Sequence, residues 1–234
     1  MKKQPTRGLD AYPRPSVAVD VVALTVDDEA LRVVLHRRDD PPAQGQPALP
    51  GGFVGIDESL DAAAARVLDT KAGLRGVFLE QLYTFGDPRR DPRGRVLSVA
   101  YYALVDGRRV TDRSELARVR VPWKGETGGP VEALGSDGKP LPLPFDHADI
   151  LGLAVKRLRG KLDYTPVGFQ LLPAEFTLRQ LQTVHETVRG RALNKDSFRR
   201  RMLASGLLEA TGERELDTAH RPAELYRFTR RSAV

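Results

Sequence analysis

A glycine-rich turn followed by a short helix is the stretch whose residue types could do chemistry. Gly51 and Gly52 permit backbone conformations closed to other residues, and they let a ligand approach the main chain closely. The segment 59–72 is rich in Ala and Leu, holds no Gly or Pro and is followed by a glycine. These features predict a helix that begins just beyond the turn.

One face of this helix is defined by Val67, Thr70 and Lys71, which lie at spacing i, i+3 and i+4. Val67 and Thr70 offer no carboxylate. Lys71 is a point positive charge of the kind that pairs with phosphate oxygens. The face therefore suits the binding of a diphosphate better than the binding of a metal ion.

The stretch from Gly52 to Leu74 resembles the signature box of Nudix hydrolases. The residues that match the box at its spacing are Gly52, Glu58, Arg66, Leu68, Gly73 and Leu74. In that family, glutamates at the positions of Val67, Thr70 and Lys71 hold a catalytic cation, and hard cations need several oxygen ligands. The resemblance thus implies the fold without the chemistry: no catalytic residue, no metal site, no required cofactor and no enzyme of this type.

We expect an effector to bind around the turn, and Glu58 and Arg66 to fix the loop against the helix as they do in the family. The residues predicted to form this effector site are Arg37, Gly51, Gly52, Phe53, Glu58, Arg66 and Lys71. Two alternatives remain open. The domain could be purely structural, or it could be a hydrolase that uses other carboxylates, such as Asp57, Glu58 and Asp61.

The C-terminal part carries a concentrated positive charge, with six basic residues and one acid in Arg189 to Arg201. A capping box at Thr177 and a cap at Asn194 predict two short helices, followed by strand-like segments near 207–209 and 224–228. This order predicts a winged helix-turn-helix, whose second helix enters the major groove of DNA. A basic winged helix that docks a protein is the alternative. The predicted DNA-facing residues are Thr177, Asn194, Lys195, Ser197, Arg199, Arg200, Arg221 and Arg227.

The elements that position these sites follow from hydrophobic patterning. Strands are predicted at 17–26, 31–37, 77–85 and 96–105, a long loop at 125–144 and an amphipathic helix at 146–162. Strands on both sides of a helix imply a mixed sheet covered by helices. We therefore predict an α+β protein with an αβα sandwich (1–162), a packed linker (163–173) and a winged helix-turn-helix domain (174–234).

Composition excludes several classes of protein and site. The 234 residues contain no cysteine and four dispersed histidines, so disulfides, thiol nucleophiles and Cys-type zinc sites are excluded. No apolar run approaches the roughly 20 residues that a membrane helix needs, and the N-terminus lacks the apolar region of a signal peptide. The sequence predicts a cytoplasmic protein without a membrane partner.

Taken together, these segments resemble the Nudix-related transcriptional regulators of NAD metabolism, the NrtR family. The resemblance rests on the degenerate box, on 81–94, 98–104, 145–147 and 164–173, and on the C-terminal runs 194–203, 206–212 and 221–228. It implies a homodimer that represses genes of NAD metabolism from a palindromic double-stranded DNA operator and leaves it when ADP-ribose or a related nucleotide binds. Relatives that sense phosphorylated sugars leave the effector open, as does an active ADP-ribose pyrophosphatase with a fused nucleic-acid module.

Overall fold

The computed structural model describes residues 8, 11–110, 115–162, 165–215 and 222–229. A mixed sheet dominates the first part, built on the hairpin of β1 (Ser16–Asp27) and β2 (Ala30–Arg37). Its other strands are β3 (Pro47–Ala48), β4 (Gly51–Phe53), β5 (Phe78–Phe85), β6 (Val96–Leu104), β7 (Glu115–Arg120), β8 (Glu132–Leu134) and β9 (Pro140–Leu141).

The strand order is β5-β6-β1-β2-β7-β8-β9, with β3 paired to β2 and β4 paired to β1. The β1–β6 pair is parallel, whereas the other pairs are antiparallel, so the mixed sheet predicted from the sequence is confirmed. β7 was not predicted, although buried Ala117 and Val119 alternate with exposed arginines there. β8 and β9 lie inside the predicted long loop, because strands of three and two residues carry too little pattern to outweigh the Gly and Pro around them.

Two helices cover the sheet, one on each face. The helix α1 (Leu60–Ala72) packs on Val19 and Val21 of β1. The helix α2 (His147–Lys161) packs on Val22 and Leu24, whose side chains point to the opposite face because strand residues alternate. This is the predicted sandwich. Within the described residues no helix is long and apolar enough to cross a bilayer.

The second part contains α3 (Leu178–Arg189), α4 (Lys195–Ala204) and a small sheet of β10 (Phe176–Thr177), β12 (Glu224–Phe228) and β11 (Leu208–Arg214) in that order. This is the predicted winged helix-turn-helix, with β10 as an additional short strand. The Phe176, Phe169 and Phe228 rings stack where the small sheet meets the preceding segment.

The two parts share one apolar core. A 3-10 helix, Pro166–Leu171, lies in the predicted linker, and its Val167 and Leu171 are buried, as expected for a packed linker. They join a cluster that runs from Leu24 in the sheet to Leu181 in α3. Two polar contacts reinforce the junction: the Thr187 hydroxyl donates to the Glu29 carbonyl at 3.3 Å, and Arg159 Nε donates to the Val188 carbonyl at 2.7 Å. The winged helix is therefore docked on the sheet.

Candidate effector pocket and DNA-binding surface

The glycine pair is required by close packing on both sides of the turn. A Cβ atom on Gly51 would lie 2.2 Å from Asp20 Oδ1, and one on Gly52 would lie 3.0 Å from Val67 Cγ2. The turn therefore rests against β1 on one side and α1 on the other. Ser59 caps α1 by accepting a hydrogen bond from the Ala62 N–H at 3.2 Å, so the helix begins directly after the turn.

Glu58 and Arg66 clamp the loop between the turn and α1. Arg66 Nε donates to Glu58 Oε1 at 2.7 Å and Arg66 Nη2 donates to the Phe53 carbonyl at 3.0 Å. Hydrogen bonds from Arg66 and from the Gly55 N–H lower the pKa of Glu58 to about 2. Both side chains are thus committed to holding the loop, the structural role that the sequence predicts for them.

The three box positions of α1 have different surroundings in the structure. Val67 is 1% exposed and belongs to the core, and the Thr70 hydroxyl donates back to the Arg66 carbonyl at 2.9 Å. Lys71 alone reaches a pocket, where its Nζ lies 2.5 Å from Asp39 Oδ2. The spacing predicts that Val67, Thr70 and Lys71 share one side of the helix. In the structure Val67 faces the core, whereas Lys71 faces the loop before the turn. An apolar side chain, a hydroxyl turned to its own helix and an ammonium do not fit a divalent cation.

The described residues contain no other candidate metal site. Across residues 11–110, 115–162, 165–215 and 222–229, no group of three or more His, Asp or Glu side chains is arranged to hold a metal ion.

A pocket of about 240 Å³ lies between the turn, the loop before it and the loop after β5. Four predicted effector residues line it: Gly51, Gly52, Phe53 and Lys71. The other three predicted residues are outside the lining of this pocket, and their part in effector binding stays a prediction. Glu58 and Arg66 form the clamp beside the pocket, and Arg37 points to Gly45 and Glu115, with 3.1 Å to each acceptor. Arg37 is the last residue of β2, where it pairs with Pro47 of β3.

Charged residues missed in the sequence line the pocket, and the acidic ones among them are Asp20, Asp39, Asp40 and Asp91. Arg38, Arg90 and Arg93 line it together with Lys71. The Arg38 guanidinium lies 4.9 Å from the centre of the Phe145 ring, and that of Arg93 lies 5.3 Å from the Phe53 ring. A pocket with several cations and two aromatic rings suits a ligand that combines phosphates with a planar base.

The floor of the pocket is a buried charge network. Arg90 Nη2 donates to Asp20 Oδ2 at 3.1 Å and to Asp146 Oδ1 at 2.6 Å, and it is 5% exposed. The Ser98 hydroxyl also donates to Asp20, at 2.6 Å. Burial opposes ionisation of Asp20, yet His147, Ser98 and Arg90 lower the pKa of its carboxyl to about 2. Arg90 thereby ties the loop after β5 to β1 and to the start of α2.

His147 completes this network from the first residue of α2. The Leu49 N–H donates to His147 Nδ1 at 3.2 Å, which places the ring proton on Nε2, 3.5 Å from Asp20 Oδ1. The segment Phe145-Asp-His147 and the run 86–94 were the sequence signals for these residues. They lie far apart in the chain, and the pattern did not predict that they meet.

The helix α4 presents its charged side chains outward. Asn194 caps it by accepting from the Ser197 N–H at 3.0 Å, and Phe198 is its buried residue. Lys195, Ser197, Arg199 and Arg200 are exposed as predicted. Arg201 lies over the Phe198 ring at 5.6 Å and covers the core.

The turn between α3 and α4 is held by side chains of α3. The Glu186 carboxylate accepts from the Leu193 N–H at 2.8 Å and from Gln182 at 2.9 Å. Gln182 also donates to the Leu193 carbonyl at 3.1 Å. These bonds fix the angle at which α4 leaves α3.

The other predicted DNA-facing residues outside α4 are Thr177, Arg221 and Arg227. Thr177 is 2% exposed and its hydroxyl accepts from the Gln180 N–H in the predicted capping box, so its side chain is not available to a phosphate. Arg227 is exposed but paired with Glu209 at 3.1 Å across the small sheet. Arg221 lies outside the described residues.

Comparison with known proteins agrees with this architecture. The family model described as NUDIX domain matches residues 14–125, and the one described as NrtR DNA-binding winged helix domain matches residues 168–228. The chain is 37% identical over 219 residues to the ADPR responsive transcriptional repressor NtrR of Acinetobacter baylyi, a match covering 93% of this chain and 83% of that protein.

Two solved structures from Shewanella oneidensis are similar as well. NrtR complexed with a 27mer DNA matches with a TM-score of 0.75 at 32% identity, covering 91% of this chain and 93% of that one. The NUDIX domain of NrtR complexed with ADP ribose matches with a TM-score of 0.50 at 29% identity, covering 65% of this chain and 94% of that one. With its sandwich, its docked winged helix and these similarities over nearly the whole chain, the protein belongs to the NrtR family of Nudix-related transcriptional regulators.

Proposed function

We propose that this protein is a DNA-binding transcriptional repressor whose Nudix-type domain binds ADP-ribose or a related nucleotide without hydrolysing it, and which then leaves its operator. The observation that carries the proposal is the pairing of two features in one chain. An exposed basic helix, α4, is docked on a domain whose pocket holds four cations and two aromatic rings, while the box positions of α1 carry Val67, Thr70 and Lys71 and no carboxylate.

The pocket supports a nucleotide diphosphate as the ligand class. Arg38, Arg93 and Lys71 can donate to phosphates if Arg93 and Lys71 exchange their present partners, Asp91 and Asp39, and Phe53 is 48% exposed beside them, so its ring can stack on a base. The relative of known structure that binds ADP ribose belongs to the same family. A phosphorylated sugar would use the cations but would leave the rings without a partner.

Hydrolysis is disfavoured by the positions of the remaining carboxylates. Glu58 is held by Arg66, and Asp61 accepts a hydrogen bond from the Tyr101 hydroxyl at 2.6 Å. Asp57 is exposed in the loop. Glu58 and Asp61 are thus engaged with different partners, which weighs against the alternative of an ADP-ribose pyrophosphatase that uses these carboxylates together.

On DNA, the proposal extends to a homodimer on a palindromic operator of genes for NAD metabolism. A symmetric dimer presents two copies of α4 to two half-sites, and an effector acts by favouring a geometry that cannot span both. Such an effector shifts the equilibrium only by its difference in affinity for the two geometries.

The experiment is a fluorescence anisotropy titration of the full chain against labelled duplexes tiled across the promoters of its own and neighbouring genes. We expect a saturable complex that dissociates on addition of ADP-ribose, with the ADP-ribose recovered intact by chromatography in the presence of Mg²⁺. Release of AMP would favour the hydrolase. If only sugar phosphates dissociate the complex, the effector is a phosphorylated sugar and not ADP-ribose. If neither ADP-ribose nor sugar phosphates dissociate it, the proposal is contradicted.

A further inference from the structure

A second cavity lies between the two domains and takes no part in the effector pocket. Its volume is about 490 Å³, roughly twice that of the effector pocket at about 240 Å³. It is bounded by the β1–β2 turn and β7 on the sheet side, and by α3 and the following turn on the other. A volume of this size is typical of small-molecule sites.

Four arginines from both domains line this interdomain cavity. They are Arg118 of β7, Arg159 of α2, Arg179 of α3 and Arg191 of the turn after α3. Glu29 and Glu186 are the acidic residues of the lining, so two positive charges remain uncompensated. Glu186 is already engaged with Leu193 and Gln182, as described above.

Arg159 is the buried member of the group, with 6% of its surface exposed. Its Nε and Nη1 groups donate to the backbone carbonyls of Val188, Trp123 and Gly125. Within the described ranges, no carboxylate forms an ion pair with it and its Nη2 group makes no hydrogen bond. Burial lowers the pKa of its guanidinium, since no anion offsets the cost of removing the charge from water.

The free Nη2 group has room because of a glycine. It lies 3.2 Å from the place that a Cβ on Gly190 would occupy, and Gly190 adopts a φ of +66° at the end of α3. A second hollow, shared between Arg159, Gly190 and Arg191, adjoins the cavity at this point.

The other three arginines are exposed at the rim. None of them forms an ion pair with a carboxylate in the parts of the chain that the structure describes. Each therefore keeps its planar set of donors, which matches the oxygens of a phosphate.

We propose that the interdomain cavity is a binding site for a small phosphorylated anion, held by Arg159 from below and by Arg118, Arg179 and Arg191 at the rim. Such an anion joins the sheet to α3 and stabilises the docking of the winged helix. DNA phosphates are a poorer match, because a duplex reaches exposed side chains and not a guanidinium that is almost fully buried.

The test is isothermal titration calorimetry of the full chain with inorganic pyrophosphate, in buffer without divalent cations and at fixed ionic strength. We expect the wild type to have a saturable site that persists in the effector-pocket variant described below. The double variant Arg118→Gln/Arg179→Gln removes two exposed rim charges and should bind pyrophosphate roughly tenfold more weakly or worse, as expected when hydrogen bonds to a charged group are lost.

Two control variants lose the same charge elsewhere. Arg108→Gln/Arg200→Gln alters a 3-10 turn of the sheet domain and α4, and Arg38→Gln/Arg93→Gln alters the effector pocket. Both should keep the interdomain site at wild-type affinity. Circular dichroism checks folding, and the single variant Arg191→Gln replaces the double variant if that fails to fold.

The proposal is overturned if the wild type does not bind pyrophosphate or if all variants lose affinity equally, which would mean general charge attraction. It is also overturned if only the effector-pocket variant loses binding. Finally, it is overturned if the rim variant binds pyrophosphate normally but loses affinity for operator DNA, since the arginines would then serve the DNA.

Discussion

Lys71 sits where α1 meets the effector pocket, and its ammonium is paired with Asp39. The hydrogen bond from Lys71 lowers the pKa of the Asp39 carboxyl. A bound diphosphate would compete with Asp39 for the same ammonium. In the proposed complex Lys71 would therefore act on the ligand in two ways, by attracting phosphate and by neutralising a carboxylate beside it.

Replacing Lys71 tests this double role. Lys71→Ala should weaken ADP-ribose binding roughly fivefold to tenfold, because it removes one cation and leaves Asp39 uncompensated in an anion site. Calorimetry on the full chain measures the change. Arg75→Ala is the matched control, since Arg75 is 81% exposed, pairs with Asp69 and lies outside the pocket. Unchanged affinity in Lys71→Ala would show that Lys71 does not contact the effector.

Asp20 supports the pocket from the interior. Its pKa of about 2 lies below the ordinary value of 3.8, so the stabilisation from its ionised form is complete above about pH 4 and is lost as the pH falls toward 2. We expect Asp20→Asn to lower the free energy of unfolding by about 2 kcal/mol at pH 7, because Arg90 then loses one of its two carboxylates.

Urea titrations at several pH values measure this effect. The difference between wild type and Asp20→Asn should be constant from about pH 8 to 5 and should narrow below about pH 4. Asp69→Asn, which breaks a surface pair with Arg75, should cost less than about 1 kcal/mol. An equal cost for the two variants would mean that the buried network contributes no more than a surface pair.

At the scale of elements, α4 carries the proposed contacts to DNA and α3 sets its angle. Only Phe198 of α4 is fully buried, so most of the helix faces solvent. Few apolar anchors and many outward cations are the features expected of a helix that enters a charged groove.

Arginine substitutions in α4 test that assignment. Arg199→Ala and Arg200→Ala should each weaken operator binding about tenfold or more if they reach base edges, and each should lower the slope of log affinity against log salt by about one if they reach phosphates. Anisotropy titrations at several salt concentrations separate the two cases. Arg108→Ala, with the same charge loss in a 3-10 turn of the sheet domain, should behave as wild type. Wild-type affinity of both α4 variants for operator DNA would show that α4 is not the helix that contacts the DNA.

The elements were predictable from sequence wherever their pattern is long. β1, β2, β5, β6 and all four helices were predicted close to their observed bounds, because each has clear periodicity and caps. The short strands β8 and β9 were missed. In the pocket, the glycine turn and Lys71 were predicted, but Asp20, Arg90 and His147 were not, because local pattern does not reveal which distant segments converge.

At the scale of the whole molecule, the docked arrangement implies one cooperative unit. The core cluster that contains Leu24 and Ile150 also contains Leu181 and Phe198, so the winged helix shares its core with the sheet, while a second cluster under α1 belongs to the sheet alone. We therefore expect differential scanning calorimetry of the full chain to show a single transition. Two resolved transitions would show that the predicted division at 163–173 separates independently stable domains.

The helix α2 connects the two sites physically. Its first residue, His147, lies in the floor of the effector pocket. Arg159, in its last turn, donates a hydrogen bond to the Val188 carbonyl at the end of α3. Fifteen helical residues make a stiff rod of about 22 Å, because each residue adds about 1.5 Å. A ligand that draws Arg90 away from Asp146 would tilt α2. A tilt of about 3° displaces the C-terminal end of this helix by about 1 Å, which is large enough to repack a helix contact. The binding of a ligand in the pocket would then change the angle at which α3 holds α4, the proposed DNA-binding helix. This change would not require any loop to fold or unfold.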